Sequence, residues 1–148
     1  MAIRCLKLAG LYLILGMTLG IAMGATERFA LAPAHAHVNL LGWVTLALAA
    51  AVFTLWPESA TTRLARAFFW LYNLALPPAM LALSLVLLGQ SGWMPVLIAG
   101  QVVLYVAAIL FVANILQNVR SVAPVATAST DRGYPRQAGA VATEIGRS

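Results

Sequence analysis

The 148-residue chain is 62% hydrophobic and only 9% charged, with a mean hydropathy of +0.90. A water-soluble domain carries about 25% charged residues, so this balance excludes an ordinary soluble protein and makes lipid the solvent. Net charge is +5, yet the basic residues sit at the ends of apolar runs, where they orient a membrane protein; the excess does not signal nucleic acid. Cys5 is the only cysteine, which rules out an intrachain disulfide and a thiolate metal site within one chain.

Four apolar stretches are long enough to cross a hydrocarbon core, which takes about 20 helical residues. They predict an all-α, four-helix transmembrane bundle over residues 1–118, with spans at about 5–25, 33–56, 67–89 and 93–117. Arg4 and Lys7 ahead of the first run, and the small residues Ala22-Met23-Gly24 near its end, imitate a secretory signal. The run is long for such a segment, and Gly16, Gly20 and Gly24 recur at four-residue spacing on one face. That stripe lets a neighbouring backbone approach closely, so the segment is read as a retained span that packs in the bundle.

Thr26-Glu27-Arg28 forms a polar link, and Pro33 opens the second span, because proline suits a first helical turn whose N–H has no partner. Pro57 stops it. In the third span Pro77-Pro78 is expected to bend the helix and free carbonyls around Asn73 and Leu74. The short uncharged turn Gln90-Ser91-Gly92 makes spans three and four an antiparallel hairpin, the last carrying Gln101, Tyr105 and Asn114. Residues 119–148 turn to Ala, Thr, Ser, Gly, Pro and scattered charge, which predicts a disordered cytoplasmic tail. Arg4, Lys7, Arg63, Arg66 and the arginines of the tail fall on one side, with Arg28 alone on the other. The positive-inside rule then gives an N-in/C-in protein of the inner (plasma) membrane, with the lipid bilayer as its first partner.

No Asp, Glu, Lys or Arg lies in the middle of a span, which argues against a pump or proton-coupled transporter and against hydrolytic acid–base chemistry. The polar cluster is Pro33-Ala34-His35-Ala36-His37-Val38-Asn39-Leu40-Leu41-Gly42-Trp43, which holds both histidines. Residues two apart on a regular helix point about 200° away from each other. His35 therefore shares a face with Asn39, Gly42 and Leu46, and His37 one with Leu41, Val44 and Leu48. Both could ligate one ion only from an irregular first turn, which Pro33 permits. The bland reading places both imidazoles in the interfacial region. A copper or zinc site at that depth would add Met94 or Gln90, a thin set; a haem needs only one or two axial ligands, and neutral histidine is a usual one.

The segment Ala34-His35-Ala36-His37-Val38-Asn39-Leu40-Leu41-Gly42-Trp43 resembles the second helix of subunit I of haem-copper oxidases, above all the cbb-type oxidases and nitric-oxide reductases. In that family a histidine near the outer end of this helix is an axial ligand of the low-spin haem b. The resemblance implies that His37 holds the same role here, with His35, Asn39 and Gly42 around the cofactor, and it covers the first two spans with their link. It departs from the family in scale: subunit I has many more spans and further histidines, whereas this chain has two histidines in all. Oxygen or nitric-oxide reduction by this chain alone is thereby excluded, and no catalytic residue is assigned. The expectation is a haem b-binding protein for electron transfer or gas sensing, its second ligand coming from a methionine, water or His37 of a second copy in a homodimer. The alternatives are a structural or assembly subunit of a larger respiratory membrane complex, docking through the glycine stripe, and an outer-face copper or zinc binder using His35 and His37.

Overall fold

The computed structural model describes residues 1–119; the tail expected beyond Val119 lies outside the described residues. In chain order the elements are α1 (Ala2–Thr26), a 3-10 turn (Phe29–Leu31), α2 (Ala32–His37), a π-helical segment (Val38–Val44), α3 (Thr45–Leu55), a 3-10 turn (Pro57–Thr61), α4 (Arg63–Leu87), a 3-10 turn (Ser91–Trp93) and α5 (Met94–Asn118). There is no strand among the described residues. The helical stretches Ala2–Thr26, Phe29–Leu55, Arg63–Leu87 and Ser91–Asn118 are each long and apolar enough to cross a membrane. The second starts at Phe29, ahead of Pro33, because the 3-10 turn leads directly into α2. Large apolar side chains cover the outside of these helices, among them Ile3, Ile14, Ile21, Leu48, Ile98 and Leu116. A helix that is apolar on every face yet only partly covered by protein belongs in lipid.

The interior is built from small residues and one aromatic cluster. Phe53 of α3, Phe68 and Tyr72 of α4 and Phe111 of α5 meet, with the Phe68 and Phe111 rings stacked at 4.6 Å and Phe53 edge-on to Phe111 at 5.9 Å. Such pairs add about 0.5–1.5 kcal/mol each beyond the area they bury. Between α4 and α5 the backbones come close enough that a Cβ on Gly100 would lie 2.8 Å from the Ala79 Cβ. Helix α4 continues through Pro77 and Pro78 without interruption.

Two sequence signals fix the ends of α4. Thr62 caps its start, its hydroxyl oxygen accepting from the Ala65 N–H at 3.0 Å. At the other end Gly89 adopts φ +90°, and its N–H reaches the Val86 carbonyl while the Gln90 N–H reaches that of Leu85, both at 2.9 Å. This is a Schellman closure, and it needs a residue at ease with positive φ.

One polar residue of the last span is fully buried. The Asn114 amide donates to the Ser59 carbonyl at 3.0 Å, and its oxygen accepts from the Thr62 hydroxyl at 2.7 Å and the Asn118 amide at 3.0 Å. The Thr62 hydroxyl also lies 3.2 Å from the Ser59 carbonyl; it has one proton, and the shorter contact takes it. Asn114 thus ties the 57–61 turn and the start of α4 to the end of α5. Asn114→Leu is expected to cost about 1–2 kcal/mol, read as a lower midpoint of thermal unfolding in detergent. Gln101→Leu, at an exposed position of α5, should leave that midpoint unchanged.

Candidate functional site

The polar residues of the second span meet α1 along the glycine stripe. His35 Nδ1 lies 2.8 Å from the Gly16 carbonyl oxygen. A carbonyl can only accept, so Nδ1 carries the proton and donates it across the helix pair. The Asn39 amide nitrogen also lies 3.5 Å from Nδ1, but two donors do not bond each other; that amide instead donates to the His35 main-chain carbonyl at 2.9 Å.

The glycine spacing explains how a side chain reaches a carbonyl that is already inside a helix. Helical side chains lean toward the N-terminus and cover the turn before their own Cα. A side chain at position 20 would therefore sit over the Gly16 carbonyl, and Gly20 leaves it open. A Cβ on Gly20 would stand 2.8 Å from His35 Cε1, and one on Gly16 would fall within the Asn39 amide. One turn further along the second span the roles reverse, with Gly42 receiving the Tyr12 ring of α1. His35, Asn39 and Gly42 thus face α1 together. Gly24 has open space where its Cβ would be.

The irregular backbone lies after the histidines and not before them. Ala32–His37 is α-helical, Pro33 included, and the seven residues Val38–Val44 are π-helical. Two hydroxyls donate to carbonyls of this segment, and the Leu40 carbonyl also accepts the Thr45 main-chain N–H. Tyr72 of α4 donates to the Leu41 carbonyl at 3.0 Å, and Thr45 donates to that of Leu40 at 2.9 Å. π-Helical turns are rare and concentrate at functional sites.

His37 is placed differently. Its ring is exposed, and Nδ1 lies 2.7 Å from the Pro33 carbonyl one turn back. The same reasoning makes Nδ1 the donor and directs Nε2 away from the helix, on the bundle surface. The two imidazoles do not converge: His35 is half-buried against α1, and His37 faces outward. Among the described residues no group of three or more His, Cys, Asp or Glu side chains comes together. Met94 and Gln90 lie at the α4–α5 turn, both exposed; Leu88 of that turn adjoins the α1–α2 link at Phe29 and Leu31.

Tyr12 and Tyr72 belong to this site, although sequence reasoning passed over them. Neither stands in a motif, and their partners, Gly42 and the Leu41 carbonyl, appear only in three dimensions. Comparison with protein-family models, with curated proteins and with solved structures finds no match to this chain.

The site generates a contrast between glycines. Gly16→Ala and Gly20→Ala should each destabilise the protein by about 1–3 kcal/mol through overpacking against Asn39 and His35. Gly24→Ala should be neutral or stabilising by up to about 1 kcal/mol, from helix propensity alone. Thermal unfolding of the three variants in one detergent makes the comparison.

Proposed function

We propose that the chain is a haem b-binding membrane protein in which the exposed His37 supplies one axial ligand. The observation that carries this reading is the bond from His37 Nδ1–H to the Pro33 carbonyl at 2.7 Å. It fixes the tautomer and orients the ring, which is what ligating histidines need from their second nitrogen. The likeness of residues 34–43 to the second helix of oxidase subunit I supports the same residue. The π-helical segment that begins one residue later adds to the argument.

The residues fit a cofactor at His37 and do not fit one slotted along the glycine wall. That wall is filled from within, with His35 on Gly20, Asn39 on Gly16 and Tyr12 on Gly42. His35 is therefore a positioning residue: it clamps the second span to α1, and with Asn39 it sets the direction in which His37 projects. A bound haem would supply one-electron chemistry or a site for a diatomic gas. The second ligand comes from outside the chain, and His37 of a second copy is the simplest source. Positive-inside orientation places Arg4, Lys7, Arg63 and Arg66 in the cytoplasm and the histidines near the outer face of the plasma membrane.

A second reading, a structural or assembly subunit of a larger membrane complex, is favoured by one observation: His35, Asn39, Tyr72 and Asn114 all find partners inside the chain. Gly16 and Gly20 are covered by the chain's own second span, so such a subunit would dock elsewhere on the bundle. Copper or zinc shared by His35 and His37 is the weakest of the three, because the rings point to different sides.

The visible spectrum separates these readings. Protein purified in mild detergent from haem-replete cells should show a Soret band that is lost in His37→Ala. In His35→Ala the band should persist while the unfolding midpoint falls. A colourless wild-type preparation sinks the haem reading.

A further inference from the structure

The end of the bundle opposite the histidines carries two basic clefts that the site above does not use. Helices α1 and α4 run in the same direction, so both N-termini lie at this end, where helix dipoles favour anions. A cleft of about 500 Å³ opens between them, with Arg4 and Lys7 toward the helix starts and Leu8, Phe69 and Leu74 as its apolar wall. Asn73 also lines it; the amide donates to the Phe69 carbonyl at 2.7 Å, and its buried oxygen accepts no hydrogen bond. Trp70, 54% exposed, forms one side. Across Trp70 a second cleft of about 530 Å³ is lined by Arg63, Arg66 and Leu71. Among the described residues none of these four cations is paired with an acidic side chain.

We propose that this end binds an anionic glycerophospholipid, with its phosphate between Arg4 and Lys7 and an acyl chain along Leu8, Phe69 and Leu74. Cations over an apolar wall fit an amphipathic ligand, since a free anion gains nothing from the wall and a zwitterionic lipid little from the charges. The cleft adjoins helix faces that carry exposed Ile3, Leu6 and Leu74, so a lipid enters sideways from the bilayer. Trp70 is an interfacial side chain of the kind that sits at headgroup level. Arg63 and Arg66, across its ring, extend the positive surface to a second phosphate. Basic pockets between membrane helices take up anionic headgroups on this principle. The inference stands apart from the haem reading, because no residue is shared between the two sites.

The test is native mass spectrometry of the full chain released from mixed phosphatidylglycerol and phosphatidylcholine nanodiscs. Wild-type protein should retain phosphatidylglycerol over phosphatidylcholine by about tenfold or more, the expected scale for two or more interfacial cations. The exposed double variant Arg4→Gln/Lys7→Gln should lose most of that preference, while Arg28→Gln, at the opposite end, should keep it. Leu74→Trp fills the wall without touching a charge and should lower retention as well. Equal retention of the two lipids by wild type overturns the proposal, and so does an unchanged preference in Arg4→Gln/Lys7→Gln or in Leu74→Trp. Displacement of the lipid by inorganic phosphate would show that the anion alone is recognised, and would overturn it too.

Discussion

An imidazole N–H in hydrocarbon has to find an acceptor, and His35 finds one on the main chain of the neighbouring helix. The Gly16 carbonyl already serves its own helix, so the bond uses its second lone pair, and only a bare backbone one turn on leaves that lone pair reachable. Much of the first helix pair follows from this. Gly20 has to be small, α1 and the second span have to lie close, and Asn39 and Tyr12 fill the space on either side of the contact. The bond also orders the chain beyond it, since Asn39 turns back to the His35 carbonyl just where the helix widens into its π segment.

The other half of the bundle solves the same problem with different groups. Helices α4 and α5 pack through Gly100 and Ala79, close their turn with Gly89, and hold their far ends together with the Asn114 amide. Tyr72 joins the two halves, because its hydroxyl serves a carbonyl of the second span while its ring belongs to the aromatic cluster around Phe68. The result is a bundle with chemically distinct ends. One carries oriented imidazoles and little charge; the other carries cations with no acidic partner among the described residues, set around a tryptophan.

The helical class and the presence of four long apolar helices were legible in composition and run length, because lipid imposes those features directly. The separation of the two histidines onto different faces was legible too, since helical geometry alone separates residues two apart. The glycine stripe was legible as a packing face, but its occupant was not. Spacing says that something approaches Gly16 and Gly20, and only the fold shows that it is the chain's own His35 and Asn39. An irregular first turn at Pro33 was only the condition for a shared ion, and the π-helical turn at Val38–Val44 was not anticipated at all. Proline at a first turn costs a helix nothing, whereas a π turn is made from ordinary residues and leaves no mark in composition. Asn114 illustrates the same limit. It reads as one polar residue in an apolar span, and two of its three partners, Ser59 and Thr62, lie 55 and 52 positions away.

The Asn114 knot has a consequence for the order in which the bundle comes together. Its bonds to Thr62 and Ser59 join residues 52 and 55 positions apart, and Asn114 lies four residues from the end of α5. The α1 pairing through His35 needs only a partner 19 residues away, so both sides of the first hairpin are available well before those of the knot. The knot can form only once the last helix exists nearly to its end, so among the bonds that join the helices it is the last to become available.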